Sequence, residues 1–437
     1  MSRKTAAVIT LGCRLNQADS ALISSRLQRM GFEIVSADAS PGPGLIFVNS
    51  CAVTATAMKK SLQTLRSVRA ENPQAYLVFT GCGAVTDKAA LENRSDIDLL
   101  LSNEDKKNLE QILPRYLACL DMPDHPKAET KTKPGVFLES AQTMFPFRTR
   151  AILKVQDGCS NACSYCIVPK ARGPQKSRDF NETLEDFRNL VGQGFREIVL
   201  SGVNLCCYRC GGRDLADLIE AFLETPGEWR LRLGSAEPGP ALPRLLQCMA
   251  KAGDRMCRYL HMPLQSGSDT ILKAMNRHCL TGEFADFVQQ ARELMPGIHI
   301  GTDIIAGFPG ETDALFDESV SFIRKMEFAN IHAFPFSPRQ GTKAESMPGG
   351  ISKEQMADRM ETLKKVKAES AAAYMKSQCG AEETVLIEAN RGKDIWEGWS
   401  GNYLRTLVVS SGDLQRKLVR VRFKGVHAAG EMEALPL

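Results

Sequence analysis

Residues 155–173, VQDGCSNACSYCIVPKARG, set Cys159, Cys163 and Cys166 at spacings of four and three, with no fourth cysteine in step. Closely spaced thiolates are soft-metal ligands. A structural zinc site normally takes four protein ligands, and a 4Fe–4S cluster normally takes four cysteines. Three thiolates on a cubane would leave one iron open to a small molecule, and the loop's N–H groups could bond to the cluster sulfides and tune them. A zinc ion completed by a distant His or Cys is the other solution. Spacing alone leaves both open.

A second trio is spread along the first third of the chain. The apolar runs AAVITLG, GLIFVNS and AYLVFTG end at Cys13, Cys51 and Cys82, and helical patterns follow over Asn16 to Met30 and Thr54 to Ala70. Strand then helix, repeated, predicts a parallel α/β sheet. The C-terminal ends of such strands open on one crevice where ligands bind, so Cys13, Cys51 and Cys82 are expected to meet there. The alternative is three separate buried cysteines acting as small hydrophobes.

The elements that position the first trio lie in the middle of the chain. Candidate strands are 151–156, 196–202, 230–235, 258–263, 299–305 and 330–336, separated by helical stretches such as Leu184 to Gln193 and Glu283 to Leu294. Six β/α units predict a partial barrel, short of the usual eight, with functional groups at the strand C-termini. The Cys159–Cys166 loop follows the first strand directly. A helical pattern from Ser352 to Gln378 then leads into a β-rich tail. In its last strand Val419, Val421 and Phe423 alternate with Arg420, Arg422 and Lys424, which puts three cations on one face. Such a face suits a nucleic-acid backbone; it is also how solvated strands resist aggregation. The expected organisation is an open parallel α/β domain over 1–120, a Pro- and charge-rich linker over 121–146, a (β/α)6 barrel over 147–350, a connecting helix over 351–380 and a small β-barrel over 381–437.

Composition agrees. A chain of 437 residues, 43% hydrophobic and 24% charged, has core enough for two or three domains. It holds no run of eighteen apolar residues, and the apolar stretch before Arg14 is too short for a signal peptide. A cytoplasmic location is expected, where 14 cysteines point to metal or catalysis rather than disulfides. A formal net charge of +4 permits a nucleic-acid partner without requiring one.

The Cys-x3-Cys-x2-Cys loop, with Tyr165 before its last cysteine, resembles the signature of the radical S-adenosylmethionine (SAM) enzymes. The resemblance implies a 4Fe–4S cluster whose open iron chelates SAM, and reductive cleavage to a 5′-deoxyadenosyl radical. TLGCRLNQADS, VNSCAVT and TGC resemble the three cysteine motifs of the methylthiotransferases, which implies a second 4Fe–4S cluster on Cys13, Cys51 and Cys82 that takes part in sulfur insertion. VPKARGPQKSR, SGVNL, LGSAEP, HMPLQSGSDTILKAMNR and TDIIAGFPGET resemble that family's barrel motifs. Tyr165, Gly202, Ser235, Glu237, Gln265 and Asp303 are therefore expected to face SAM.

The tail resembles the tRNA-binding TRAM domain, and TLGCRLNQ, with GNYLR at 401–405, resembles the branch acting on N6-threonylcarbamoyladenosine in tRNA. That implies replacement of the adenine C2 hydrogen by a methylthio group, with a flavodoxin- or ferredoxin-like reductant as partner. Isopentenyladenosine in tRNA and a ribosomal-protein aspartate are the substrates of the other branches. Lys170 and Arg172 are expected at the cavity mouth, where they could meet the threonyl carboxylate; phosphate-facing or solvated cations are the alternative. Cys206, Cys207 and Cys210, in SGVNLCCYRCGG, depart from the family pattern and read as incidental thiols or a third soft-metal site. A non-enzymatic iron–sulfur RNA-binding module that senses SAM also fits, and formation of 5′-deoxyadenosine would separate the two.

Overall fold

A computed structural model describes residues 4–117 and 149–437; the expected linker over 121–146 lies outside them. The chain divides into two compact units. The first takes in residues 4–117, Ile152–Asp186 and Ser337–Glu345, so the Cys159–Cys166 loop counts with the N-terminal sheet. The second takes in Thr149–Ala151, Phe187–Phe336 and Ser346–Leu437.

The first unit is a five-stranded parallel sheet of β1 (Thr5–Thr10), β2 (Glu33–Ile34), β3 (Leu45–Ser50), β4 (Tyr76–Gly81) and β5 (Leu99–Leu100), in the order β2-β1-β3-β4-β5. Every residue of β3 and β4 is buried, as expected of parallel strands covered on both faces. Their pleat splits the core in two. Leu45, Phe47, Tyr76 and Val78 pack with Ile23 and Leu27 of helix α1 (Arg14–Arg29). Ile46, Val48, Leu77 and Phe79 pack with Met58, Leu65 and Val68 of helix α2 (Ala55–Glu71). Thr54 caps α2 by accepting from the Ala57 N–H at 3.1 Å.

The central strands follow the expected order. They are β6 (Arg150–Lys154), a short ribbon of β7 (Gln156–Asp157) and β8 (Lys176–Ser177), β9 (Glu197–Ser201), a hairpin of β10 (Arg209–Cys210) and β11 (Arg213–Asp214), β12 (Arg230–Leu233), β13 (Tyr259–His261), β14 (His299–Ala306) and β15 (Asn330–Pro335). β9 and β12 pair in parallel, and so do β13, β14 and β15. Parallel bridges at Leu231–Met256 and Ser235–His261 join these two groups into one partial barrel.

After the helix Lys353–Ser377, which Ser352 and Gln355 cap reciprocally, the chain closes a five-stranded barrel. Its strands β16 (Glu382–Gly392), β17 (Ile395–Ser400), β18 (Arg405–Val409), β19 (Leu418–Val426) and β20 (Met432–Pro436) run in the order β16-β17-β18-β20-β19 around Val385, Ile387, Val421, Phe423 and Met432. Closure removes the free sheet edges.

This small barrel is fastened to the β/α barrel by buried charge. Glu197, wholly buried on β9, accepts from Arg230 Nε and Arg232 Nε, each at 2.7 Å. The remaining guanidinium nitrogens donate to main-chain carbonyls of the tail: Arg230 to Thr384 (2.6 Å) and Trp399 (2.9 Å), Arg232 to Ser400 (2.9 Å) and Gly401 (3.2 Å). Burial alone would raise the Glu197 carboxyl, but Arg232 and Arg230 outweigh it and hold it well below its ordinary range. Asn402 and Tyr403 of GNYLR serve this junction: Asn402 Nδ2 donates to Gln378 Oε1 at 2.9 Å, and the Tyr403 ring lies 4.7 Å from the Arg232 guanidinium. Among the described residues, no helix is long and apolar enough to cross a membrane.

Candidate functional site

Three neighbouring strands of the N-terminal sheet end in cysteine. Cys13 is the N-cap of α1 beyond β1, Cys51 follows β3, and Cys82 opens the short helix α3 (Cys82–Thr86) beyond β4. Cys51 and Cys82 are buried and Cys13 is exposed. Two glycines allow this crowding. A Cβ on Gly12 (φ +94°) would stand 2.6 Å from Cys51 Cβ and 2.8 Å from its Sγ; one on Gly81 (φ +97°) would stand 2.3 Å from the Ser50 carbonyl. Burial pushes the Cys51 thiol up to about 11, and the nearby Cys13 and Cys82 push the same way. A bound metal would reverse that, since a coordinating thiol is deprotonated outright. No three His, Cys, Asp or Glu side chains among the described residues converge tightly enough to ligate a single metal ion. Three thiols at neighbouring strand ends, with no histidine or carboxylate among them, are the donor type that an iron–sulfur centre takes.

The other trio lies on a loop closed by the β7–β8 ribbon. Cys159 N–H donates to the Gly173 carbonyl (3.1 Å), Gln175 N–H to Ser160 Oγ (3.2 Å) and Ala344 N–H to the Ser164 carbonyl (2.8 Å). Gly158 (φ +68°) is required, because its Cβ would fall 2.1 Å from the Pro174 carbonyl. Cys159, Cys163 and Cys166 are half-buried, and Asn161 N–H already donates to Cys159 Sγ at 3.4 Å, the kind of bond that supports a metal-bound thiolate.

Arg172 is not at a cavity mouth. It ends the short helix Val168–Arg172, is buried, and donates to Asn16 Oδ1 (2.6 Å), Asp19 Oδ2 (3.0 Å) and Asp157 Oδ1 (3.1 Å). Asp19 also receives Lys154 Nζ at 2.8 Å and Lys106 Nζ at 3.3 Å. Burial would raise Asp19, but Lys106, Lys154 and Arg172 hold it well below its ordinary value; Asp157 is brought down to about 2 in the same way by Lys154 and Arg172. Spacing gave no signal for this network, although Asn16 and Asp19 stand in TLGCRLNQADS. Lys170 is exposed, with Nζ 3.4 Å from the Gln340 carbonyl.

In the second unit, residues expected to face SAM gather at the C-terminal ends of the barrel strands. Gly202 follows β9, and Ser235 lies past β12 opposite His261. Glu237 is paired with Arg277; burial pushes its carboxyl up, and Asp303 adds to the rise. Asp303 holds His261 Nε2 at 3.2 Å. Gln265 takes a positive φ of 78° so that its N–H reaches the Asp303 carbonyl (2.8 Å) and its own carbonyl receives the Ile305 N–H (2.8 Å). Tyr165 belongs to the first unit with the cysteine loop. His261 and Arg277 were not singled out from sequence; their place at a strand end and within HMPLQSGSDTILKAMNR was the available signal. Cys206 is buried beside the Glu237 main chain, and burial pushes its thiol up to about 12. Cys207 and Cys210 are half-buried, and among the described residues no three-ligand site for a metal ion includes them. On the tail, Arg420, Arg422 and Lys424 are exposed, while Glu382 takes Arg422 at 2.5 Å and Arg420 at 3.3 Å.

The chain matches the Radical SAM superfamily over residues 153–323 and the Uncharacterized protein family UPF0004 over residues 5–102. Among solved structures it resembles the radical SAM methyltransferase TsrM from Kitasatospora setae, with a TM-score of 0.61 at 16% identity over 79% of this chain and 77% of that one. Fold and site thus define a radical SAM enzyme, which uses an iron–sulfur cluster and SAM. The chain is 33% identical to "Threonylcarbamoyladenosine tRNA methylthiotransferase MtaB" of Thermotoga maritima, over 96% of this chain and 94% of that protein. It is 30% identical to "tRNA-2-methylthio-N(6)-dimethylallyladenosine synthase" of Moorella thermoacetica, over 96% of each. The chain belongs to the radical SAM tRNA methylthiotransferase family.

Proposed function

We propose that this protein replaces the C2 hydrogen of N6-threonylcarbamoyladenosine, next to the anticodon of tRNA, with a methylthio group. The reading is carried by the two cysteine trios of the first unit, each on its own glycine-shaped frame. Cys159, Cys163 and Cys166 would hold the SAM-binding 4Fe–4S cluster; Cys13, Cys51 and Cys82 would hold the auxiliary one. With SAM and an external reductant, the first cluster would supply the hydrogen-abstracting radical, and the second would take part in sulfur insertion. Glu237, Gln265 and Asp303, with Gly202 and Ser235, would position SAM, and Tyr165 would flank it from the loop. The Glu237 carboxylate, held by Arg277, could accept a hydrogen bond from a polar group of SAM.

Arg420, Arg422 and Lys424 would follow the tRNA phosphates; Lys170 is a candidate for the substrate carboxylate. Recognition of the threonyl carboxylate and ureido group should be strict, because a site built for them leaves polar groups unpaired without them. The choice of this nucleoside rests on TLGCRLNQ and on the 33% identity to the threonylcarbamoyladenosine enzyme. A flavodoxin- or ferredoxin-like reductant and a cytoplasmic setting follow from the same reading, and so does the five-part domain plan. Mass spectrometry of tRNA nucleosides from cells lacking the protein tests it: the 2-methylthio form of threonylcarbamoyladenosine should vanish while the 2-methylthio form of isopentenyladenosine persists. The opposite pattern would assign the chain to the dimethylallyladenosine branch.

A further inference from the structure

The buried network around Asp19 is left over from the proposed chemistry. In it Lys106, Lys154 and Arg172 donate to Asp19 and Asp157, and none of the five is more than 9% exposed. What matters for the cysteines is where the arginine reaches. Asn16, which accepts from Arg172, donates through Nδ2 to the Leu11 and Ser50 carbonyls at 2.8 Å each, on the main chain leading into Cys13 and Cys51. Arg172 itself comes from the helix just past Cys166 and is electrostatically coupled to Cys13, Cys51 and Cys82.

We propose that Arg172 is a positioning residue for the N-terminal cysteine site: its buried charge raises the reduction potential of the group held by Cys13, Cys51 and Cys82, while Asn16 and Asp157 tie that site to the SAM-cluster loop. This rests on the reading that those cysteines hold a 4Fe–4S cluster. Adding one electron makes such a site one unit more negative, and a fixed positive charge in a low-dielectric setting favours that state. Burial works against the Arg172 charge, but Asp19 and Asp157 outweigh it and hold the guanidinium well above its ordinary value.

The test uses full-length protein with Cys159, Cys163 and Cys166 changed to Ala, which leaves the N-terminal site as the remaining cluster site. Iron per chain and an EPR-monitored redox titration are the readouts. Adding Arg172→Gln should lower the reduced-to-oxidised ratio at fixed potential by on the order of tenfold, ~59 mV for one electron. Arg172→Lys should keep the parent potential, and Asp157→Asn should shift it upward. An unchanged potential in Arg172→Gln at full iron content, or an equal fall in Arg172→Lys, overturns the proposal. Should Arg172→Gln fail to fold, Asp157→Asn decides, and a potential that does not rise counts against it. A parent with no iron–sulfur signal overturns the auxiliary-cluster reading itself, and the inference with it.

Discussion

Glu197→Gln should destabilise the second unit by about 3 kcal/mol at neutral pH. The carboxylate is wholly buried and accepts at 2.7 Å from Arg230, at 2.7 and 3.2 Å from Arg232, and lies 3.9 Å from Arg150. Glutamine keeps the shape and one acceptor oxygen but places an amide donor against a guanidinium and leaves Arg230 and Arg232 without their carboxylate. Removing one partner of a buried ion pair costs about 3–5 kcal/mol, and the retained oxygen sets the expectation at the lower end. At about 2–4 °C per kcal/mol, the melting temperature should fall by about 6–12 °C. All three tryptophans, Trp229, Trp396 and Trp399, lie in the second unit, so fluorescence-monitored urea and thermal unfolding report on it. The double variant Glu197→Gln/Arg232→Met should recover part of the loss. A deficit below about 1 kcal/mol would refute the view that this cluster fastens the tail. By the same reasoning, cutting the chain near Ala381 removes four carbonyls that Arg230 and Arg232 use, so point substitutions test the tail more cleanly.

Anaerobically reconstituted protein should hold about eight irons, and changing Cys159, Cys163 and Cys166 to Ala should leave about four and abolish 5′-deoxyadenosine formation; SAM cleavage by that variant would contradict the loop's role. Changing Cys13, Cys51 and Cys82 to Ala should spare SAM cleavage and end methylthiolation, and any methylthiolated product would count against a sulfur-handling role. Arg420, Arg422 and Lys424 changed to Ser should weaken tRNA binding and flatten its salt dependence by about 0.9 for each phosphate no longer neutralised, while Glu382→Gln should strengthen binding by freeing two arginines; unchanged affinity and slope would mean a merely solvated face. Burial, with the Arg232 guanidinium nearby, pushes His299 down to about 3. The unfolded chain takes up that proton below about pH 6.5 while the folded chain does not, so stability should be lost as pH falls from 6.5 towards 3, by roughly 1.4 kcal/mol per pH unit. His299→Gln should flatten this acid limb in pH-dependent unfolding, and a limb as steep as the parent's would contradict the linkage.

The cysteines and the strands were legible because each is a local signal. Cys159, Cys163 and Cys166 announce themselves by spacing, and the six barrel strands appear within two residues of the apolar runs that predicted them. The placement of Cys13, Cys51 and Cys82 past neighbouring strand ends was readable because a parallel sheet sends all its strand ends to one side. Arg172 was misplaced for the converse reason. A cation after a cluster loop reads as cavity-facing, and nothing local reveals that Asp19, 153 residues away, will bury it. RLRLGS hid the same way: Arg230 and Arg232 alternate with Leu231 and Leu233 as a solvated face would, yet Glu197 on the neighbouring strand and the carbonyls of GNYLR's junction enclose them. Ion networks built from distant residues leave no periodic trace.

The central claim is radical methylthiolation of threonylcarbamoyladenosine in tRNA. Reduced, reconstituted protein should be incubated with SAM and one tRNA sequence carrying threonylcarbamoyladenosine, isopentenyladenosine or plain adenosine at the same position, and the digested nucleosides followed by mass spectrometry. The account predicts 2-methylthio product, with 5′-deoxyadenosine, from the threonylcarbamoyl tRNA alone. Equal turnover of plain adenosine, or product from the isopentenyl tRNA in its place, would contradict it.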